Sequence, residues 1–398
     1  MSKFTWPRPG GFFTDPRPQL GGVPGFRDLL PLEAEVLREA QESLLAEMRR
    51  WGYRHVITPL VESMDVLDLG LGVDQRRRLF KFTDLRGEVV ALVGERTVPV
   101  ARLVAGKLRA AALPLRLCYA GPVVSTDEGR FHHRRETYQV GAELIGASGP
   151  VADAEVIALA ARCMEATGIR RYQIDVGHAE FFHGIMDAVR LPDDVKGAVR
   201  SALVARDFVG LESLLEGTPL KSAEHELLLR FPALRGGPEI LEAAGALVRN
   251  RRSEAALTEL SRVRELLVGH GIGDVVILDL GAIRDFDYYT GVIFEGYGPD
   301  SPEPHGPPRC RESTQRWRGP APASTPRCAW VRPYGCSACG RSSTLSLEAP
   351  QKPRPGGAPS APRISSIAAV RPMSLGRRTA SARERSRPSR WRLASLGA

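Results

Sequence analysis

No apolar run in the 398 residues approaches the roughly 18 that a membrane-crossing helix needs. The first ten residues, which hold Trp6, Pro7 and Pro9, lack the apolar stretch of a secretory signal. Both absences point to a cytoplasmic protein. Cysteine is sparse before residue 300, where only Cys118 and Cys163 occur. Two cysteines make no disulfide framework and fit a reducing compartment. Neither GxxxxGKS, GxxxxGKT nor GxGxxG is present, so the common phosphate-loop folds have no support. There is no internal repeat, and lysine is scarce throughout.

The net charge of +9 is unevenly spread. Residues 301–398 hold 17 Arg, one Lys, four Glu and no Asp, a balance of +14 that leaves −5 for residues 1–300. The body therefore gives no electrostatic reason to expect RNA. The tail also carries 15 of the 31 prolines and no Phe, and its apolar residues follow neither period 2 nor period 3.6 over a useful length. Such a composition buries too little surface to offset chain entropy, and disorder is expected. Cys336 and Cys339 form a CxxC, but Cys310 and Cys328 are single, so the paired spacing of a zinc site is missing. An Arg/Pro/Ser/Ala/Gly mixture with few lysines is what GC-rich codons encode out of frame. The expected division is a folded unit over 1–300, incomplete at its C-terminal end, and a disordered or frameshifted tail over 301–398. Reading the gene in its other frames tests this.

Segment 31–52, PLEAEVLREAQESLLAEMRRWG, opens on Pro31 and closes on Gly52, which predicts an amphipathic helix. YRHVITP (53–59) reads as a strand. LFKFTD (79–84) and EVVALV (88–93) flank Arg86 and Gly87 as a hairpin. A helix is predicted over 97–110, strands over 115–124 and 134–145, a helix over 150–168 and a strand over 171–177. Helical stretches fill 180–270, and 274–280 and 287–297 are β-rich. Hairpin strands with helices grouped between them predict an α+β fold with a mainly antiparallel sheet.

Within a strand from Arg135 to Ile145, Gln139, Gly141 and Glu143 share one face at period 2. An amide and a carboxylate then flank a residue without a side chain. That suits a small polar cation, with Gly141 giving it room. A solvated strand face with a packing glycine fits the same pattern. In RDFDYYTGVIFEGY (284–297), alternation lets only one of Tyr288 and Tyr289 face a given side, and core tyrosines fit equally. Glu95 follows the apolar run EVVALV and by itself reads as a surface charge.

Taken in order, GFRDLLPLEA (25–34), GYRHVITPLVE (52–62), ALVGERTVPVAR (91–102), CYAGPVVSTDEGRFHHRRETYQVGAELIG (118–146) and RDFDYYTGVIFEGY (284–297) resemble histidyl-tRNA synthetase and its paralogues. The resemblance covers roughly residues 20–297. Its most specific string is Arg284, Asp287, Tyr288, Tyr289, Thr290 and Gly291. It implies the class II aminoacyl-tRNA synthetase fold, a six-stranded antiparallel sheet flanked by helices, with a self-dimer through the 31–62 region. It also implies a histidine pocket of Glu95, Thr97, Gln139, Glu143, Arg284, Tyr288 and Tyr289. Glu95 would take the ammonium and Arg284 face the carboxylate, while Glu143 with Gln139 or Tyr289 bonds the ring nitrogens.

The ATP side departs from the family. Ser125 stands for the second-motif arginine, Asp127 for its partner glutamate, and Val93 for the arginine of the Arg-Pro-Glu-Gly-Thr segment. No glycine-rich third motif follows residue 300. Fixed cations at the α-phosphate supply most of the catalysis in adenylation, so no activation of histidine is expected. Within the family the chain resembles the paralogues that regulate the short form of ATP phosphoribosyltransferase, at the first step of histidine biosynthesis. That implies a subunit without catalysis, cofactor or metal of its own. Its partner would be the short catalytic subunit, in a hetero-oligomer, and its effector free histidine. The alternatives are an active histidyl-tRNA synthetase, identified by pyrophosphate exchange, and an orphan RNA-binding paralogue, identified by salt-dependent tRNA binding.

Overall fold

The computed structural model describes residues 22–126, 135–205, 207–216, 218, 220–281, 290–298, 341–348 and 363–364. The chain runs through α1 (Pro31–Arg50), β1 (Arg54–His55), β2 (Val61–Ser63), α2 (Met64–Gly70), α3 (Val73–Arg77), β3 (Lys81–Thr83) and β4 (Val89–Leu92). Next come α4 (Thr97–Lys107), the long strands β5 (Leu115–Val124) and β6 (Glu136–Ile145), then α5 (Pro150–Ala166) and β7 (Gln173–His178). A helical section follows: α6 (Ala179–Ala188), α7 (Asp193–Ala205), α8 (Phe208–Leu215), α9 (Ser222–Arg230), the short β8 (Arg235–Gly236), α10 (Glu239–Leu247) and α11 (Arg251–Gly269). β9 (Val276–Asp279), β10 (Val292–Tyr297), β11 (Arg341–Glu348) and β12 (Arg363–Ile364) complete the order.

Local chemistry explains the helices that carry the fold. α1 starts at Pro31, whose missing N–H costs nothing there, and Glu33 Oε2 accepts the Leu30 N–H at 3.2 Å. Leu37, Ala40, Leu44 and Met48 recur at helical spacing and are buried. Arg49 and Arg50 favour the last turn, and Gly52 leaves it at φ +82, open to glycine without strain. α5 is buried on nearly every side, with 11 of its 17 residues inside, so it belongs between layers rather than on a surface.

A five-stranded sheet has the order β1-β5-β6-β11-β12, and a four-stranded sheet the order β10-β7-β9-β8. β2, β4 and β3 form a small antiparallel sheet. Among the described residues only β1–β5 and β7–β9 pair in parallel, so the mainly antiparallel α+β expectation holds. α1 and α5 cover one face of β5 and β6, where Leu44, Met48 and Ile157 share a core with Cys118, Val140, Ala142 and Leu144. Ile174, Val176 and Phe294 of the second sheet join the same core. On the opposite face, Val100 of α4 packs on Leu117 and Tyr119. The site lies on that face.

The structure amends two expectations. The strand over 53–59 shrinks to β1, because the chain pairs with β5 only as far as Val56, whose N–H donates to the Cys118 carbonyl at 2.9 Å, before turning into the small sheet. The single six-stranded sheet is divided in two, since no ladder joins β6 to β10 among the described residues. Beyond residue 300 the described residues add β11, which pairs antiparallel with β6, from Arg341 opposite Leu144 to Leu347 opposite Tyr138. β6 is buried along most of its length, and its backbone groups need partners that water cannot supply. Apart from β11 and β12, the tail and its four cysteines lie outside the described residues. Among the described residues no helix is long and apolar enough to cross a membrane, and no three His, Cys, Asp or Glu side chains group to hold a metal.

Candidate functional site

The site begins at the N-terminus of α4, where the first backbone N–H groups of a helix have no intrahelical partner. The Glu95 carboxylate takes them: Oε2 accepts the Thr97 N–H at 2.8 Å and Oε1 the Val98 N–H at 2.9 Å. The sequence alone reads Glu95 as a surface charge; the structure buries it and makes it the cap of this helix. Burial pushes its carboxyl above the ordinary carboxylate range, against the pull of the bonds from Val98 and Thr97. Thr97 is buried beside it.

Next along the chain, Arg96 crosses to the sheet. Its backbone N–H donates to Gln139 Oε1 at 2.8 Å. Its Nη1 donates to the Thr58 carbonyl at 3.2 Å and the Thr58 hydroxyl at 3.1 Å, and Nη2 to the Pro122 carbonyl at 2.7 Å. Burial lowers its pKa. Its guanidinium lies on Gly121, where a Cβ would stand 2.5 Å from Nη2. Sequence reading missed Arg96; the available signal was an arginine at the glycine of the matched Arg-Pro-Glu-Gly-Thr segment.

On the sheet, Gly121 is paired with Gln139, Tyr119 with Gly141, and Leu117 with Glu143. Paired residues of an antiparallel ladder share a face, so these six form one surface under α4. Gln139 and Glu143 are both buried, and four residues of strand separate their Cα atoms by about 13 Å. They stand at opposite ends of the surface. The space expected above Gly141 is filled: a Cβ there would lie 2.4 Å from the Tyr119 hydroxyl. Gly141 is thus the seat of the Tyr119 ring rather than a place for a ligand cation, because the cross-strand neighbour claims the gap first.

Four of the seven expected pocket residues are described and buried: Glu95 and Thr97 meet at the start of α4, Gln139 of β6 accepts the backbone N–H of the intervening Arg96, and Glu143 lies further along the same strand face. Arg284, Tyr288 and Tyr289 lie outside the described residues, as does Asp127. Val93 is fully buried. Ser125 sits at the end of β5, with its N–H on the Arg135 carbonyl at 2.8 Å and its hydroxyl on the Arg78 carbonyl at 3.3 Å. A hydroxyl and an isopropyl group thus occupy the two positions at which the family's arginines were sought. What remains on this face is a set of buried acceptors and donors.

A second polar cluster lies on the four-stranded sheet. Arg235 bridges Asp175 at 2.8 Å and Asp279 at 3.4 Å. It borders a cavity of about 210 Å³ that is otherwise lined mainly by Leu203, Phe208, Leu229, Pro232 and Ala233. The arginine is neutralised by its two carboxylates, and none of the four described pocket residues lines the cavity.

The sequence matches the histidyl-tRNA synthetase family over residues 25–306. It is 40% identical over 275 residues to the ATP phosphoribosyltransferase regulatory subunit of Moorella thermoacetica, which covers 69% of this chain and 71% of that protein. It is 39% identical over 274 residues to the subunit of the same name from Syntrophotalea carbinolica; here the match spans 69% of this chain and 64% of the relative, slightly under two thirds of its length. The fold resembles the crystal structure of an ATP phosphoribosyltransferase regulatory subunit/histidyl-tRNA synthetase from Bacillus halodurans C, with a TM-score of 0.66 and 30% identity, covering 71% of this chain and 73% of that one.

Proposed function

The chain belongs to the histidyl-tRNA synthetase family, among its ATP phosphoribosyltransferase regulatory subunits, and from that membership we propose that it is a non-catalytic subunit that binds free histidine and conveys feedback to a separate catalytic chain. One observation carries the reading. Glu95, Thr97, Gln139 and Glu143 are all buried, while Ser125 and Val93 stand in place of the cations that adenylation needs. Such a surface recognises an amino acid without activating it. Arg284, Tyr288 and Tyr289 complete the proposed pocket. The catalytic partner is the short form of ATP phosphoribosyltransferase, in a cytoplasmic hetero-oligomer. Self-dimerisation through residues 31–62 is supported by the exposed apolar side chains of Leu32, Ile57 and Val61 in that region.

The test is co-expression with a short catalytic subunit. Co-purification, restored phosphoribosyl transfer and inhibition by histidine are the expected results. Histidine-dependent ATP–pyrophosphate exchange by the isolated chain would instead make it an active synthetase. Tight tRNA binding with a steep salt slope would make it an RNA-binding paralogue.

A further inference from the structure

We infer that Arg96 is an anion-binding group of this site, and that the carboxylate of the bound amino acid docks on the Nε and Nη2 edge of its guanidinium. The inference rests on the histidine reading and adds to it a residue that the matched segment does not supply, since glycine stands there in the resembled pattern.

Arg96 is only 4% exposed. Among the described residues its side-chain hydrogen bonds go to the Thr58 carbonyl, the Thr58 hydroxyl and the Pro122 carbonyl, all neutral. No carboxylate is among them, and Nε is buried without a hydrogen-bond partner among the described residues. A guanidinium has five N–H donors in a fixed plane. Thr58 occupies Nη1 and Pro122 takes one donor of Nη2. The donors left are Nε–H and one of the two N–H groups of Nη2, the nitrogen on the same edge as Nε. That pair is the fork a carboxylate accepts with both oxygens. Among the described residues Arg96 has no counter-charge; a buried cation in that state is strongly unfavourable, and an incoming anion removes the penalty. Burial lowers the Arg96 pKa for the same reason.

Position supports the assignment. The group rests on Gly121, directly across the ladder from Gln139, and Gln139 also holds the Arg96 backbone. Both ends of Arg96 are therefore fixed to the strand pair that carries the site. Glu95, its neighbour in sequence, is turned to the α4 backbone instead.

The experiment is calorimetric titration of the full chain with histidine and with histamine, which keeps the ring and amine but has no carboxylate. Wild type should prefer histidine. Arg96→Met should lower histidine affinity tenfold or more and leave histamine unchanged. Equal losses for both ligands, or no loss for histidine, would overturn the assignment while leaving the proposed function intact. Should Arg96→Met not fold, Arg96→Lys carries the test, because a single point charge must still reduce the histidine-to-histamine ratio. If wild type binds neither compound, the histidine reading fails, and inorganic phosphate then probes Arg96 alone. A phosphate-induced rise in melting temperature that the variant loses supports an anion site; the same rise in both proteins, or none in wild type, removes it.

Discussion

Gly141 shows how a single residue can look like a binding feature and serve packing. The Tyr119 ring fills the place of its side chain, with the hydroxyl and Cζ each 2.4 Å from a hypothetical Cβ. Tyr119 is itself almost fully buried and has nowhere to retreat. Gly141→Ala should therefore destabilise the protein by about 1–3 kcal/mol through overpacking. In a Tyr119→Leu background the same change should cost little, because the clashing atoms are gone. Thermal melts of the four proteins in a double-mutant cycle check this. Additive losses would mean that the ring and the glycine do not compete for one space.

At the scale of elements, α6 and α11 are latched by charge. Arg252 Nε donates to Glu180 at 2.5 Å, and Arg252 Nη1 pairs with Asp187. The hydrogen bond from His183, and then those from Arg252, hold the Glu180 carboxyl down at about 2, below its ordinary 4.5. A carboxylate with a depressed folded-state pKa adds stability that is fully present above the unfolded value and is lost as pH falls through the folded one. Arg252→Ala should therefore lower the melting temperature at neutral pH, and the gap to wild type should close as pH falls from about 4.5 toward about 2. A gap that stays constant over that range would assign the loss to packing alone. β11 offers a second element-scale test. Successive residues of a strand direct their N–H groups to opposite edges, so of Thr344 and Leu345 only one points its N–H at β6. Proline at that position removes a ladder bond and should cost about 1 kcal/mol more than proline at the other. Equal melting temperatures for the two variants would mean that the β6–β11 ladder carries no stability.

For the whole molecule, the proposed regulation is a coupling between a pocket on this chain and chemistry on another. Such couplings are typically about 1–3 kcal/mol and reciprocal for binding. Histidine should weaken substrate binding to the assembled complex or slow its turnover. Glu143→Gln keeps the shape of the buried side chain and removes its charge. Losing a charge-assisted bond to the ligand costs about 1.5–3 kcal/mol, which raises the histidine needed for half-inhibition roughly tenfold to a hundredfold. Turnover without histidine should barely change. An inhibition curve on the variant complex reads both quantities. An unchanged midpoint, or lost basal turnover in a complex that still assembles, would place the sensor elsewhere.

The sequence by itself determined what depends on near neighbours. The 3.6-residue spacing of Leu37, Ala40, Leu44 and Met48, with Pro31 and Gly52 at the ends, is enough for α1, and alternation around Gly141 is enough for β6. It also put Gln139 and Glu143 on one strand face and showed that Ser125 and Val93 cannot grip a phosphate. Only the tertiary structure decided what depends on residues far apart in the chain. Glu95 became a buried cap because α4 starts against β6, and Arg96 reached Gly121 because α4 lies across β5. The pairing of β11 with β6 joins segments about 200 residues apart, and no local period announces such a partner. Periodicity reports which way a side chain faces; register between distant strands decides what it meets there.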